Sequence, residues 1–421
     1  MKVTLNRSRI NGCVIAPSSK SYTIRALMCA AMASGKSKVR FALDSDDTEA
    51  SINVLRLVGV RIEAEEDFLL VNGGMFRESQ HDLYCRDSAT TLRFMTAMAS
   101  IIPGNTRLVA GQSLVNRPIE PLIQALRQIG VNCYFHKNEP AVIVKGGGLN
   151  GGLVRLEGNV SSQFLSALLL IGAFAEKGIK IILGSPLQSK PYILMTIECL
   201  KEFGVYVEYS EDFTEFIVTK QLFSPTEYVV EGDWSSASYL LALGALSGKI
   251  EVTNLRMDSI QGDKIILDFL RKMGAIIEEN KGTVVVKSSE LQAIKADLKD
   301  CIDLLPTMAI LAATATGTSE FVGINRGRIK ESNRVAAVTE GLRRMGLEIV
   351  EEKDRLMITG NMIHNTIIDS WQDHRIAMAF AILGIKYGGI TINNADCVSK
   401  TFPEFWRIIK DLGGQITVSG K

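Results

Sequence analysis

Positive charge stands where a folding chain usually avoids it. Lys20 and Arg25 lie in the first turns of one predicted helix and Arg375 opens another. Lys190, Lys330 and Lys400 mark three further predicted starts, and Arg117 precedes Pro118 at one more. A helix N-terminus carries unpaired N–H groups and a partial positive charge, so it welcomes anions and repels cations. A solvated lysine at an ordinary helix start explains any one of these positions. Recurrence at matching places points instead to a site where bound anionic groups neutralise clustered cations. Asp303, at the start of an apolar helix, and Glu331, beside Lys330, can each exchange a proton with a hydroxyl or carbon held among those cations. Asp303 has a plainer use as an N-cap. Ser161 and Ser162 can cap a helix or cradle a phosphate, and His374 fits a packed interior equally well.

The elements that must position these residues repeat six times. A helix with a basic or polar end closes on a glycine at Gly59, Gly130, Gly204, Gly274, Gly346 and Gly413, at intervals of roughly 70 residues, and short alternating strands follow most of them. A second kind of helix, polar at its start and apolar on every side, begins near Ser18, Asp87, Ser161, Asp233, Asp303 and Gln372. A helix apolar all round is buried. Each unit therefore reads as one buried helix, one outer helix and a few strands of an α/β (α+β) fold. Three units per domain give a discontinuous domain I of residues 1–16 plus 230–421 and a domain II of residues 17–229, with crossings expected near 15–18 and 224–232.

Composition removes several functions. In 421 residues Lys plus Arg total 47 against 46 Asp plus Glu, a net charge of +1, so no global field exists to hold nucleic acid or an anionic bilayer. With 46% hydrophobic and 22% charged residues the chain is an ordered globular protein. Neither a signal core nor a long uncharged apolar run is read, and seven cysteines without CxxC suggest reduced thiols in a cytoplasmic protein. With only four histidines, no metal site is expected. SGKS at Ser34–Ser37 lacks the upstream glycine of a phosphate loop, since that position is Ala30. GGGLNGG at 146–152 reads as a turn, and Cys301 as a buried thiol.

Eight segments, in order, carry a family likeness: SSKSYTIRAL (Ser18 to Leu27), NRPIEPL (Asn116 to Leu122), GNVSSQFLSALL (Gly158 to Leu169), SKPYI (Ser189 to Ile193), VEGDWSSASY (Val230 to Tyr239), RIKESNR (Arg328 to Arg334), DHRIAMA (Asp373 to Ala379) and SKTFPEF (Ser399 to Phe405). The chain resembles the 5-enolpyruvylshikimate-3-phosphate (EPSP) synthase family over essentially its whole length. The resemblance implies a two-domain inside-out α/β barrel of six βαβαββ units, three per domain, with an active site in the cleft between domains. It assigns shikimate 3-phosphate to Lys20, Ser21, Arg25, Ser161, Ser162, Gln163, Ser189, Tyr192, Asp303, Arg326 and Lys330. Phosphoenolpyruvate falls to Lys20, Ala89, Arg117, Gln163, Arg334, Arg375 and Lys400, with the Asp87–Arg93 segment alongside. Proton transfer falls to Asp303, Glu331 and Lys20.

The implied reaction needs no metal or organic cofactor, and the implied protein is a cytoplasmic monomer acting on small molecules, a target of glyphosate. The related UDP-N-acetylglucosamine enolpyruvyl transferases typically carry a reactive Cys where this chain has Gln112, which favours the shikimate reading. A non-enzymatic module gripping a nucleic-acid backbone is disfavoured by the near-zero net charge. Three residues depart from the family pattern. Ala89 replaces a Gly, which predicts weak inhibition by glyphosate. Asp87 replaces an Asn and places an acid near the anion site unless Arg86 or Arg93 pairs with it. Asn333 replaces an Asp.

Overall fold

The computed structural model describes residues 1–136, 139–361 and 363–420. Twelve α-helices appear in chain order: α1 (Lys20–Met32), α2 (Asp46–Leu57), α3 (Ala89–Met98), α4 (Glu120–Gln128), α5 (Ser162–Gly172), α6 (Lys190–Glu202), α7 (Trp234–Ser247), α8 (Ile266–Lys272), α9 (Leu305–Thr314), α10 (Arg334–Arg344), α11 (His374–Tyr387) and α12 (Phe405–Asp411). The odd-numbered helices are buried along nearly their whole length, as their uninterrupted Ala, Leu, Ile and Met content demands. The even-numbered helices bury one face only.

Starts and stops follow local chemistry. Ser19, Ser88, Ser161, Asp233 and Asp373 each accept a hydrogen bond from a first-turn N–H of the odd helix they precede. α9 is the exception: Leu304 occupies its N-cap with no side-chain bond, and Asp303 lies in a 3-10 turn, Ile302–Leu304, just before it. The capping use of Asp303 is therefore excluded. Every even helix ends before a left-handed glycine, with φ of +102° at Gly59, +86° at Gly130, +80° at Gly204, +88° at Gly274, +91° at Gly346 and +101° at Gly413. Lys330 and Lys400 do not open outer helices. Lys330 follows the 3-10 turn Asn325–Ile329, and Lys400 ends the turn Ala395–Lys400.

The strands form six open four-stranded sheets, all with the spatial order first, second, fourth, third. In one repeat Gly152–Leu156 pairs parallel with Ile179–Leu183. That strand is antiparallel to Glu215–Val218, which forms a hairpin with Glu208–Tyr209. The parallel pair is bridged by a buried helix, as a crossover requires. Three repeats borrow a strand. Lys2–Asn6 supplies the fourth strand of the last repeat and Ile10–Ile15 the first strand of the repeat containing α7. Glu227–Val229 supplies the first strand of the repeat containing α1.

The chain divides into two compact units, Met1–Pro17 with Glu231–Lys421, and Ser18–Val230. Within the first, α7, α9 and α11 pack on one another under their sheets, and within the second α3 packs against α1 and α5. Helices inside and sheets outside are the inside-out arrangement, with no sheet closing on itself among the described residues. No helix among these residues is long and apolar enough to cross a membrane.

Candidate active site

In the unit Ser18–Val230, Lys20 opens α1 and its Nζ lies 3.0 Å from Asp47 Oδ2. Asp47 sits in the first turn of α2, where a negative charge is favoured by the helix end as well as by Lys20. One turn further along α1, Arg25 is buried. It donates to Thr196 Oγ1 at 2.8 Å, to the Ser21 carbonyl at 2.9 Å and to the Tyr192 carbonyl at 3.1 Å, between the rings of Phe94 and Tyr192. Burial lowers its pKa, outweighing the opposing influence of Cys199, Tyr192, Tyr22 and Tyr228, and no carboxylate pairs with it among the described residues. Thr196 also exchanges a hydrogen bond of 2.8 Å with Ser166 on α5, which joins the α1–α6 pair to α5. Ser189, the N-cap of α6, is buried and held in the left-handed region at φ 54°.

The second half of this cluster surrounds Arg93, a cation in an otherwise apolar helix. Its guanidinium donates to Gln163 Oε1 at 2.7 Å, Ser161 Oγ at 3.2 Å and the Pro118 carbonyl at 2.7 Å. Gln163 donates in turn to Thr90 Oγ1 at 3.0 Å. Asp87 accepts from both the N–H and the hydroxyl of Ser113, at 2.8 and 2.7 Å. Arg93 and Asp87 thus clamp the loop that carries Arg117 from its two sides. Arg86, meanwhile, pairs with Glu49 at 2.6 Å. Ala89 and Ser162, each the first residue of its helix, are buried beside these groups.

In the other unit the charges are paired with one another. Asp303 lies 3.2 Å from Lys330 Nζ, 2.5 Å from Arg334 Nη1 and 3.5 Å from Arg375 Nη2. Arg334 also donates to Glu331 at 2.6 Å and to Asp373 at 2.8 Å. Burial alone would raise the Asp303 carboxyl, but Lys330, Arg375 and Arg334 together hold it well below the usual carboxylate range. Lys330 is brought down to about 8. Burial dominates, and the attraction of Asp303 and Glu331 does not offset burial and the repulsion of Arg326 and Arg334. Arg334 moves upward despite burial because Asp373, Glu331 and Asp303 surround it. Burial, reinforced by the Asp303 charge, lifts Asp263 to about 7, and its carboxylate accepts from Ser235.

Lys400 is buried at the end of the turn Ala395–Lys400, and burial pushes the thiol of Cys397 in the same turn to about 12. His374 is buried in the first turn of α11, with Nδ1 3.7 Å from Asp373. Asn333 caps α10 by accepting from the Ala336 N–H at 3.1 Å, a duty that needs no acid. Cys301 is buried, its thiol raised chiefly by burial. No cluster of metal-ligating side chains occurs among the described residues.

Four participants escaped the sequence reading. Asp47 and Asp373 were hidden because each stands at a helix start, where an acid is ordinary. Asp263 lies in a turn with no periodic signal. Arg93 had been named only as the end of a segment and as a possible partner of Asp87, yet it lies in the first turns of α3, the same signal that singled out Arg25.

Six βαβαββ repeats with cationic helix starts define the enolpyruvyl transferase fold class. The EPSP synthase of Acinetobacter baumannii superposes at a TM-score of 0.84 with 26% identity, covering 100% of both chains. The enolpyruvyl transferase NikO of Streptomyces tendae shares the fold at 0.81 with 16% identity, covering 99% of this chain and 98% of its own. The pattern of the family EPSP synthase (3-phosphoshikimate 1-carboxyvinyltransferase) matches residues 5–409, and the chain belongs to that family. It is 46% identical over 418 residues to a 3-phosphoshikimate 1-carboxyvinyltransferase of Dehalococcoides mccartyi, covering 99% of each. Its identity to the enzyme of that name from Methanothermobacter thermautotrophicus is 39% over 425 residues, covering 100% of each.

Proposed function

We propose that the chain transfers the enolpyruvyl group of phosphoenolpyruvate to the 5-hydroxyl of shikimate 3-phosphate and releases phosphate. The hydroxyl oxygen adds to C2 as C3 takes a proton; C3 then returns a proton and the C2–O bond to phosphate breaks. Family membership supports this reading, as does the pairing pattern of Arg25, a buried cation whose acceptors among the described residues are all neutral, a setting suited to an anion.

Shikimate 3-phosphate engages Lys20, Ser21, Arg25, Ser161, Ser162, Gln163, Ser189 and Tyr192 from one unit and Asp303, Arg326 and Lys330 from the other. Phosphoenolpyruvate lies among Lys20, Arg117, Gln163, Arg334, Arg375 and Lys400, with Ala89 bounding its phosphate. Asp303 is the group nearest in character to a base for the 5-hydroxyl. Its three cations suppress its basicity until anionic substrates draw Lys330 and Arg375 toward themselves, so proton affinity rises when the hydroxyl arrives. Glu331 and Lys20 serve the proton at C3. The protein works in the cytoplasm as a monomer.

The test is phosphate release from phosphoenolpyruvate. It should require shikimate 3-phosphate and be absent with UDP-N-acetylglucosamine; the opposite dependence would defeat the assignment.

A further inference from the structure

A second concentration of positive charge lies in the unit Met1–Pro17 with Glu231–Lys421, and it shares no residue with the groups above. A cavity of about 470 Å³ is lined by Arg7, Arg9 and Lys386 together with Ser247 and Ser288, and no Asp or Glu lines it. The turn between the strands Lys2–Asn6 and Ile10–Ile15 carries the two arginines. That turn is pinned: the Ser8 N–H donates to the Ile385 carbonyl at 2.9 Å, and the Ser8 hydroxyl accepts from the Gln415 N–H at 2.9 Å. Arg7 and Arg9 are thereby held on an ordered loop, and no carboxylate pairs with either among the described residues.

Lys386, half-buried in the last turn of α11, spends one of its three donors on the Leu246 carbonyl at 2.8 Å, near the C-terminal end of α7. Its pKa is lowered by burial and then by Arg7, so like charges face one another here. The Ser247 hydroxyl on the same wall is buried with no hydrogen-bond partner among the described residues.

Helix ends account for part of this. The C-termini of α7 and α11 together offer about one negative charge. Three cations and an unfilled hydroxyl exceed that by about two charges, which is the charge of a phosphate monoester near neutrality. The volume falls in the range that takes a small organic ligand, roughly 300 to 1,000 Å³.

We propose that this pocket binds a small phosphomonoester, with Arg7, Arg9 and Lys386 on the phosphate oxygens and the Ser247 hydroxyl donating to one of them.

Titration calorimetry of the full chain with glycerol 3-phosphate, and separately with inorganic phosphate, tests it. The variants are Arg7→Ser with Arg9→Ser, and Ser247→Ala. The arginine pair is exposed, so its removal should leave the melting temperature and turnover unchanged while weakening glycerol 3-phosphate binding by about tenfold or more. Ser247→Ala should weaken it by about threefold to tenfold. Inorganic phosphate should bind the wild type more weakly than the ester, through the same residues. Isotherms identical across wild type and variants would overturn the site, and inorganic phosphate binding as tightly as the ester would overturn the choice of ligand. Because binding is read directly, a wrong assignment of the reaction would leave this result untouched.

Discussion

Arg25 and Arg334 are both buried, yet burial acts on them in opposite company. Arg25 is surrounded by a threonine hydroxyl, two backbone carbonyls and two rings, and its pKa falls. Arg334 is surrounded by Asp303, Glu331 and Asp373, and its pKa rises. A guanidinium on neutral acceptors keeps its charge available for an incoming anion, at the cost of desolvation without a counter-ion. One ringed by carboxylates has spent its charge on its neighbours and serves to hold them apart and in place. The two units thus handle a buried guanidinium differently, Arg25 on neutral acceptors in Ser18–Val230 and Arg334 among carboxylates in the other.

Removing each guanidinium separates those duties and gives the largest expected effects. Arg334→Met leaves three buried acids facing one another, and truncating one member of such a group costs about 3–5 kcal/mol; chemical denaturation should show a loss of that size. Arg25→Met takes away an uncompensated buried charge and keeps the volume. Its stability should stay within about 1 kcal/mol of wild type, while KM for shikimate 3-phosphate rises by about a hundredfold. Equal destabilisation by the two substitutions would break the comparison.

How much of this was readable beforehand divides along the same line. The six glycines and the six buried helices followed from periodicity, because a left-handed helix stop and an all-apolar face have few alternative uses. Cations that break the helix-end rule, such as Lys20 and Arg375, stood out for the same reason. Their acids did not: Asp47 and Asp373 obey the rule they also exploit, and Asp303 looked like a cap until α9 proved to start two residues past it, with Leu304 at the N-cap. Lys330 and Lys400 were placed at helix starts because a short 3-10 turn is too brief to leave a periodic signature.

A smaller effect tests whether space, and not charge alone, shapes the binding unit. Ala89 is the first residue of α3, buried beside Thr90, which holds Gln163. A methyl there should exclude the longer glyphosate while sparing phosphoenolpyruvate. Ala89→Gly is expected to lower the inhibition constant for glyphosate by about tenfold, with KM for phosphoenolpyruvate changed by less than about threefold. Equal inhibition of both forms would show that the cations alone set selectivity.

The smallest effect depends on pH and sharpens the contrast between fixed and labile charge. Guanidinium groups stay charged through any accessible pH, but Lys330, brought down to about 8, does not. Below pH 8 it is charged in folded and unfolded chains alike. Between about 8 and the ordinary lysine value of about 10.4 only the unfolded chain holds the extra proton, so stability rises with pH across that window. Anion binding runs the other way, since the charged form is the one that attracts. For the free protein kcat/KM for shikimate 3-phosphate should fall above pH 8, by up to about tenfold per unit. In Lys330→Arg the cation persists. Activity should be lower overall, because a planar fork does not match an ammonium, yet flat from pH 7 to 9. A falling limb that survived this substitution would assign the titration to another group and leave the acid-rich unit with no labile cation.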